Sequence, residues 1–554
     1  MFDRRMDWWK HAVVYQIYPR SFKDSHGDGN GDLRGIIEKL GYIESLGVDA
    51  VWLSPIYASP MIDNGYDVSD YYAINPMFGT SEDFDALVAG LHERGIRLLM
   101  DLVVNHTSDQ HSWFIESRSS RENPKRDWYL WHPGRDGNEP NNWASHFGGS
   151  AWEKDAATGE YYLHLFAKQQ PDLNWRNPEV QTAVFDMMRW WLDKGVDGFR
   201  IDMGNFFLKD PALPDARRDP WDTSPFVHPK ELCANQPGMH EIYQAMHDEV
   251  LAPYDAVAFG EMYFLNPDTA RQYVGWDRKE IQLLYQYPIM DARGNWQQVR
   301  REVQAWYDAF RGGATNTITF SNHDSGRSVS VFGDDTTYHD KSAQCIATYL
   351  LSAPGTAFFL QGEEIGMTNV LFPSIDDYTD IEMQGRYADL MSQGADPNVV
   401  LPELIRWSRD NARTPMQWAN DVHAGFSTHT PWLAVNPRYT SINVDNQEQD
   451  KISILNYYRQ LIALRNEVGP LKYGTYAPLV PMEWETFAIR RDFEGETIVC
   501  IYNFLSEEMY MHKPDVLVGR KLVMLLSNYE ESGDDTDSTL RLRPWEARIM
   551  RIVT

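Results

Sequence analysis

Three segments of the chain share one arrangement: an amphipathic stretch ends at a glycine, and a short apolar run follows it. One stretch carries apolar residues at the spacing of a single helical face: Phe84, Leu87, Val88 and Leu91. Thr80 or Ser81 is expected to cap this helix at its N-terminus. Each stretch ends at a residue type that commonly terminates helices in a left-handed conformation: Gly47, Gly95 and Gly195. The pattern therefore predicts repeated helix–strand units.

The same alternation continues along most of the chain. Apolar runs typical of strands buried on both faces begin near residues 13, 48, 96, 196, 255, 280, 314 and 355, with helical stretches between most of them. Eight such units predict an α/β fold, the (β/α)8 TIM barrel. An open doubly wound sheet is disfavoured, because no G-x-G-x-x-G fingerprint follows any of the runs.

Two regions interrupt this alternation. Residues 105–172 contain many Trp, His, Asn and Gly residues but no clear strand–helix unit, which indicates a loop-rich subdomain inserted after the third strand. From about residue 480 the pattern is that of antiparallel strands without helices. We therefore predict a catalytic barrel of residues 1–104 and 173–479, an inserted subdomain of residues 105–172, and a C-terminal antiparallel β-sandwich domain of residues 480–554.

Composition narrows the class of protein. The 554 residues are 43% hydrophobic and 24% charged, which is typical of a globular protein of two or three structural units. A net charge of −29 disfavours nucleic acid and anionic lipid as partners. No apolar run is long enough to span a membrane, and the first residues lack the apolar stretch of a secretory signal. Three widely spaced cysteines suit a reducing compartment. We expect a cytoplasmic monomer or homodimer.

Charged residues stand where the C-terminal ends of the predicted barrel strands should lie. Arg200 and Asp202 end the fourth strand, Glu261 ends the fifth, and His323 and Asp324 end the seventh. In barrels of this kind the chemistry is found at these ends. A rim acid taken alone is often only a loop cap, but three acids at matching positions favour a shared function. Converging carboxylates indicate glycosidic chemistry, with one ionised acid attacking the anomeric carbon and one protonated acid assisting the leaving oxygen.

Neighbouring residues support this interpretation. Arg200 precedes Asp202 by two positions, so both project from one face of the strand, and the guanidinium would keep Asp202 ionised. His106 and His323 are suited to hydrogen-bond sugar hydroxyls, although either taken alone could be a structural histidine. No organic cofactor is expected.

The strand-end motifs "DLVVNH", "GFRIDM", "FGEM" and "SNHD" resemble the four short conserved regions of the α-amylase superfamily, glycoside hydrolase family 13. The stretches "VVYQIYPRSFKDS", "GYDVSDY", "QPDLNW", "QGEEIGM" and "ARTPMQW" are similar to its oligo-1,6-glucosidase and α-glucosidase branch. The resemblance covers nearly the whole chain. It implies a retaining mechanism with Asp202 as nucleophile, Glu261 as general acid/base and Asp324 as transition-state stabiliser.

The resemblance also implies a pocket for the non-reducing terminal glucose. Its lining would be supplied by Asp67, His106, Arg200 and His323, with Tyr66 stacking on the sugar. In this branch an arginine near "RDNARTPMQW" pairs with the aspartate of "GYD", and Arg409 is favoured over Arg413 for that role. Asp67 and this arginine would close the pocket behind one glucose and make the enzyme exo-acting.

The stretch "DSHGDGNGD" is a candidate metal site. Five residues alternate like ligands of a hard cation: Asp24, His26, Asp28, Asn30 and Asp32. It is not an EF-hand, because Gly35 stands where the twelfth-position glutamate belongs. The alternative is an acidic surface turn. The resemblance implies Ca²⁺ or Mg²⁺ here, and we favour a structural divalent ion, although His26 replaces the usual asparagine and imidazole is a poor Ca²⁺ ligand.

Two features depart from the branch and leave the substrate open. Met203 follows the nucleophile, where valine usually accompanies α-1,6 preference and threonine α-1,4 preference. Ser325 and Gly326 replace the usual "QP" beside Asp324. The apolar methionine favours α-1,6-linked short oligosaccharides such as isomaltose, or sucrose-like α-glucosides.

Several alternatives use the same scaffold. A transglucosylase or sucrose isomerase would pass the glucosyl group to a sugar, and an α-1,4-preferring maltase would differ only in linkage. A trehalose-6-phosphate hydrolase needs a basic phosphate pocket, which the sequence does not locate. A catalytically silent, transporter-associated relative is disfavoured because all three acids are present, and a hydride-transfer enzyme because the phosphate-binding glycines are missing.

Overall fold

Parallel strands form the centre of the computed structural model, which describes residues 7–219, 224–482, 486–530 and 538–553. The strands are β1 (Val13–Ile17), β2 (Ala50–Leu53), β3 (Arg97–Leu102), β4 (Gly198–Ile201), β5 (Val257–Gly260), β6 (Leu283–Leu284), β7 (Thr317–Ile318) and β8 (Thr356–Leu360). They form one eight-stranded sheet in the order β6-β5-β4-β3-β2-β1-β8-β7. All eight lie within the predicted apolar runs, and the predicted TIM barrel is confirmed.

Side chains join the two end strands of this sheet. The Thr317 hydroxyl on β7 donates to the carbonyl oxygen of Leu284 on β6 at 2.6 Å. Just outside the strands, Gln286 Nε2 donates to Asn316 Oδ1 at 2.9 Å. Both bonds lie among buried residues, so they pair polar groups that have no access to water at this seam.

A helix follows each strand and packs on the outside of the barrel. The helices are α1 (Leu40–Leu46), α2 (Ser81–Glu93), α3 (Pro178–Asp193), α4 (Met239–Met246), α5 (Pro267–Val274), α6 (Trp296–Phe310), α7 (His339–Ser352) and α8 (Ile454–Glu467). Thr80 caps α2 in a reciprocal capping box with Asp83. The three predicted glycine terminators all adopt positive φ: Gly47, Gly95 and Gly195.

Two long excursions extend from the C-terminal ends of the strands. The one after β3 contains a helix (Ser112–Ser119) and a small antiparallel sheet built from Trp131–His132, Tyr161–Leu163 and Trp152–Lys154. The other lies between β8 and α8 and contains helices Ile381–Ser392, Pro397–Trp407 and Asp410–Arg413. The sequence pattern did not single out this second excursion, which packs its own apolar cluster. The predicted domain bounds stay predictions.

The C-terminal part of the chain is antiparallel, as predicted. Its strands are β9 (Ala477–Pro478), β10 (Thr486–Phe493), β11 (Glu496–Asn503), β12 (Met509–His512), β13 (Lys521–Ser527), β14 (Thr539–Leu542) and β15 (Ala547–Val553). They form a five-stranded sheet, β9-β10-β11-β15-β13, and a two-stranded sheet, β12-β14, that share an apolar core. Trp296 of α6 stacks on Phe504 at 3.6 Å and joins this domain to the barrel. Within the described ranges, no helix is long and apolar enough to cross a membrane.

Candidate active site

A cavity of about 350 Å³ opens at the C-terminal ends of the barrel strands. Its lining is supplied by Asp63, Tyr66, His106, His146, Phe147, Phe166, Asp202, Met203, Glu261, Tyr263, Phe264, Asp324, Glu382 and Arg409. The three predicted carboxylates therefore meet at one cavity. Arg200 and His323 are fully buried behind the lining and contact it, whereas Asp67 lies elsewhere.

The Arg200 guanidinium contacts three carboxylates at the floor of the cavity. Its Nη1 donates to Asp101 Oδ1 at 2.7 Å and to Asp202 Oδ1 at 2.6 Å, and its Nη2 lies 2.6 Å from Glu261 Oε2. The strand register explains this arrangement, because Asp101 on β3 pairs with Arg200 on β4, and Asp202 follows Arg200 by two positions on the same face.

Opposing effects act on the Asp202 carboxyl. Burial raises its pKa well above the usual range, and the nearby carboxylates of Glu261 and Asp101 raise it further, whereas Arg200 lowers it. Two carboxyl groups at one guanidinium form the pair of acids that a retaining glycosidase requires.

Asp324 has a different electrostatic environment. Its carboxylate lies 2.5 Å from Arg413 Nη2, 3.8 Å from Arg409 Nη1 and 3.0 Å from His323 Nε2. Burial alone would raise the pKa of Asp324, but its neighbours hold it well below the usual range. Burial lowers the pKa of His323 to about 3, so this imidazole is neutral near pH 7 and the two arginines provide the positive charge. Asp324 is therefore the firmly ionised member of the three.

Tyr66 and His323 belong to one hydrogen-bond chain. Gln16 Nε2 donates to His323 Nδ1 at 2.8 Å, which places the imidazole proton on Nε2. That nitrogen lies 2.5 Å from the Tyr66 hydroxyl, which in turn donates to Asp101 Oδ2 at 2.9 Å. The two rings stack with centroids 5.3 Å apart. The chain fixes the tyrosine face toward the cavity, where a sugar can pack against it.

His106 contacts the backbone of the loop that carries Tyr66. Its Nε2 is 3.0 Å from the Tyr66 carbonyl oxygen and 3.2 Å from Gln170 Nε2. Burial lowers the pKa of His106 to about 4, so the ring is neutral near pH 7. A neutral imidazole at a cavity wall is suited to exchange hydrogen bonds with hydroxyl groups.

The predicted pairing of Asp67 with Arg409 is wrong, and Asp63 takes that place. Asp67 is turned into its own loop, where it accepts hydrogen bonds from the Ser59 hydroxyl and from the backbone N–H groups of Ile62 and Asp63. Asp63 Oδ1 lies 3.4 Å from Arg409 Nη2, and both line the cavity. Burial raises the pKa of Asp63, while the charge of Arg409 opposes that shift. The choice of Arg409 agrees with the structure once its partner is corrected.

The candidate metal loop forms a hydrogen-bonded turn. Asp24 accepts from the backbone N–H groups of Gly27 and Gly29, at 2.6 and 2.8 Å, and from the Ser427 hydroxyl at 2.6 Å. Asp32 caps the short helix Leu33–Glu38 at its N-terminus and contacts His26 Nδ1 at 3.1 Å.

The rest of this loop is also arranged through hydrogen bonds. Asp28 accepts from the N–H of Asn30, whose side-chain oxygen accepts from Arg20. Among the described residues, no three His, Cys, Asp or Glu side chains are grouped to hold a metal. This arrangement does not match the cage of oxygen ligands that Ca²⁺ takes. No chemical step is assigned to an ion, and the divalent ion stays a prediction.

The residues that depart from the family pattern line the two neighbouring cavities. Met203 has φ +46° and packs in an apolar cluster with Phe166 and Phe206. Ser325 and Gly326 line a second cavity of about 170 Å³ that shares Tyr263 and Asp324 with the first. A Cβ at Gly326 would lie 2.8 Å from Val331 Cγ2, so glycine leaves room there.

The sequence analysis missed several residues that line the two cavities, among them Asp63, Tyr263, Tyr287 and Glu382. Tyr263 follows Glu261 by two positions, and a strand-like alternation would have placed it on the same side. Asp63 lies in the turn before "GYD", where only the fold decides which aspartate faces the cavity. The excursion after β8 supplies Glu382, and no periodic signal connects that segment to the barrel rim.

Comparisons with known proteins agree with this geometry. The model of the alpha amylase catalytic domain matches residues 16–474. An oligo-1,6-glucosidase of Parageobacillus thermoglucosidasius is 47% identical over 557 residues, covering 98% of this chain and 99% of that protein. The crystal structure of trehalulose synthase MutB from Pseudomonas mesoacidophila MX-45 superposes with a TM-score of 0.93 at 41% identity, covering 99% of both chains. Isomaltulose synthase SmuA from Protaminobacter rubrum gives 0.93 at 38% identity, covering 99% of this chain and 100% of that one.

Proposed function

This chain belongs to the α-amylase family of glycoside hydrolases, and we propose that it is a retaining, exo-acting α-glucosidase of the oligo-1,6-glucosidase type. It releases the non-reducing terminal glucose from short α-glucosides, with α-1,6-linked oligosaccharides such as isomaltose as its preferred substrates. The observation that carries the proposal is the contact of both Asp202 and Glu261 with the single Arg200 guanidinium. It supports the assignment of Asp202 as nucleophile and Glu261 as acid, because it holds their carboxyl groups side by side at the cavity.

The reaction proceeds in two steps, formation and hydrolysis of a covalent glucosyl-enzyme. Asp202 attacks the anomeric carbon while Glu261 gives its proton to the glycosidic oxygen, so the C–O bond breaks and a glucosyl ester of Asp202 forms. Glu261, now ionised, takes a proton from water, which attacks the ester and releases glucose. Asp324 remains ionised throughout, and its negative charge favours the positively charged, oxocarbenium-like transition state of each step.

The exo mode of action is supported by the Asp63–Arg409 contact. Arg409 is also held by Asp380, with Nε 2.7 Å from Oδ1, so a buried charge cluster forms this wall of the cavity. Carboxylate and guanidinium groups are the hydrogen-bonding partners that the hydroxyls at the non-reducing end of a glucose require. A wall of fixed charges behind one sugar ring leaves no path for a chain to extend past it.

Product analysis tests the proposal. Purified enzyme is incubated with maltose, isomaltose, isomaltotriose and sucrose, and the products are separated by chromatography. We expect glucose from isomaltose and isomaltotriose at higher kcat/KM than from maltose, and α-glucose as the first anomer seen by NMR. β-Glucose as the first product would contradict retention, and release of internal fragments from longer chains would contradict exo action.

A sucrose isomerase or transglucosylase is the second candidate. It is favoured by the close superposition on trehalulose synthase MutB and isomaltulose synthase SmuA. The higher sequence identity to an oligo-1,6-glucosidase ranks hydrolysis first. Isomaltulose or trehalulose as the main product from sucrose would reverse this order, and a preference for maltose would instead favour an α-1,4-specific maltase.

The compartment and the oligomeric state are the last parts of the proposal. All three cysteines are buried and unpaired, which suits a reducing cytoplasm. The net charge of −29 favours a small neutral sugar over nucleic acid as partner. We propose a monomer or homodimer, and light scattering after size-exclusion chromatography distinguishes the two.

A further inference from the structure

Two tyrosines contact the same oxygen of the general acid/base. The hydroxyls of Tyr263 and Tyr287 both donate to Glu261 Oε1, at 3.1 and 2.5 Å. Their rings stack with centroids 4.3 Å apart and planes 20° apart. The other oxygen, Oε2, accepts from the backbone N–H of Met203 at 3.2 Å and lies 2.6 Å from Arg200 Nη2. Both oxygens of the Glu261 carboxyl group therefore have polar partners that fix its orientation.

Both tyrosines remain proton donors over the working pH range. Burial raises the pKa of each phenol well above its usual value, and the negative charge of Glu261 raises it further. A phenol that stays protonated can stabilise an ionised carboxylate through a charge-assisted hydrogen bond. The two hydroxyls therefore favour the ionised form of Glu261, the form left after each proton transfer to the leaving group.

We propose that Tyr263 and Tyr287, here called the tyrosine pair, are positioning residues that orient Glu261 and compensate the charge it gains when it protonates the leaving sugar. The inference rests on the proposed function, since it assigns a task in glycosidic bond cleavage. During the first step the proton moves from Glu261 to the glycosidic oxygen, and the carboxylate that remains keeps two donors on Oε1. During the second step the carboxylate takes a proton from water and returns to its starting state.

The location of the pair distinguishes this task from packing. Tyr263 lines the sugar cavity, and both tyrosines line the second cavity beside it, so neither is enclosed in an apolar core. Their partner is a buried carboxyl group whose orientation determines whether its proton points at the substrate. Loss of one hydroxyl removes a bond to a charged acceptor without removing the ring that stacks on its neighbour.

Leaving-group dependence tests the proposal. The variants Tyr287→Phe and Tyr263→Phe are compared with wild type on isomaltose, whose departing sugar oxygen needs a proton, and on α-glucosyl fluoride, whose departing fluoride needs far less assistance. We expect kcat/KM of Tyr287→Phe to fall about 30- to 100-fold on isomaltose, at or below the lower limit of the roughly 10²- to 10⁴-fold that general acid catalysis contributes. On the fluoride the loss should stay within about threefold. Tyr263→Phe, with the longer contact, should show the smaller loss on isomaltose.

A pH profile gives a second measurement. Removing a donor from an ionised carboxylate makes ionisation less favourable, so the alkaline limb of kcat/KM on isomaltose should move to higher pH in Tyr287→Phe. The matched control is Tyr254→Phe, because the Tyr254 hydroxyl also donates to a carboxylate, Asp193 at 2.8 Å, on the exterior of the barrel. This control should leave both the profile and the substrate ratio unchanged.

Three results would overturn the proposal. Equal losses of kcat/KM on both substrates would mean that the tyrosines contribute to binding or packing. No loss on either substrate would mean that their hydroxyls do not contribute to catalysis. An alkaline limb at the wild-type pH would mean that they do not compensate the charge of Glu261. Thermal unfolding within a few degrees of wild type verifies that each variant is folded. Failure of the proposed function is separate, because it appears as an inactive wild-type enzyme on isomaltose and fluoride alike.

Discussion

The inner end of the sugar cavity and its outer mouth are built on different principles. At the inner end, Arg200, Asp101 and His323 are fully buried, and each is fixed by charged or hydrogen-bonded neighbours. Toward the mouth the lining is apolar: Phe264 is half exposed, and Met203, which follows the nucleophile, is buried in an apolar cluster. We therefore expect the inner end to determine which reaction occurs and the mouth to determine which sugar and linkage it acts on.

The two ends of the cavity differ in the free energy that a substitution costs. Removing one partner of a buried ion pair leaves the other charge unpaired in a medium of low polarity, at a cost of about 3–5 kcal/mol. Changing an apolar contact of a bound sugar costs about 1–3 kcal/mol. The inner end thus tolerates little variation in a family of enzymes with one chemistry, whereas the mouth can vary with the substrate.

The largest expected effect is at the catalytic carboxyls. Asp202→Ala removes the nucleophile and should lower turnover of p-nitrophenyl α-glucoside by about 10⁴-fold or more, the scale seen when a nucleophile is removed. Glu261→Gln removes the acid and should cost about 10²- to 10⁴-fold on isomaltose. Steady-state rates of variants with normal circular dichroism measure this, and near-normal turnover in either variant would refute the assignment of the inner end.

The next largest effect is expected at the cavity wall formed by Asp63 and Arg409. Asp63→Asn removes the charge that faces Arg409 and should lower kcat/KM on isomaltose about 100-fold, as expected for one broken buried charge pair. Asp67→Asn is the matched control, since Asp67 accepts hydrogen bonds only within its own loop. It should lower the melting temperature by a few degrees and leave kcat/KM within about tenfold. A larger kinetic loss in Asp67→Asn than in Asp63→Asn would restore the original pairing.

A smaller effect is expected at the mouth. Met203→Ala shortens the side chain beside the nucleophile and should change the ratio of isomaltose to maltose kcat/KM by about tenfold. Turnover of p-nitrophenyl α-glucoside, which has no second sugar, should change by less than about threefold. Met203→Leu conserves volume and serves as the control. An unchanged linkage ratio in Met203→Ala would remove this residue from substrate selection.

The sequence predicted the barrel and its three carboxylates because both depend on local signals. Apolar runs that follow glycine-terminated helices mark the strands, and a charged residue at the end of such a run falls at the rim of the barrel. Arg200 and Asp202 illustrate this, since two positions on one strand face suffice to bring them together.

The remaining site residues depend on turn geometry and on distant chain segments. Asp63 and Asp67 are four residues apart, and the positive φ values of Met61, Asn64 and Gly65 decide which of them faces the cavity. Glu382 comes from the excursion between β8 and α8, whose approach to the barrel rim leaves no periodic pattern in the sequence, and Arg409 of the same excursion was predicted only through the family resemblance. Such contacts follow from the assembled fold, and local propensity carries no information about them.

The smallest effect is expected far from both ends of the cavity, at the loop of residues 24–32. Asp24 already accepts three backbone N–H groups and the Ser427 hydroxyl, so a divalent ion would replace existing bonds and add little. Treatment with EDTA should lower the melting temperature by about 2 °C or less and leave kcat unchanged, with recovery in Ca²⁺. His26→Asn offers the ion an oxygen ligand and should increase the response to Ca²⁺. A loss of activity in EDTA, or no response to Ca²⁺ in either protein, would contradict a structural ion here.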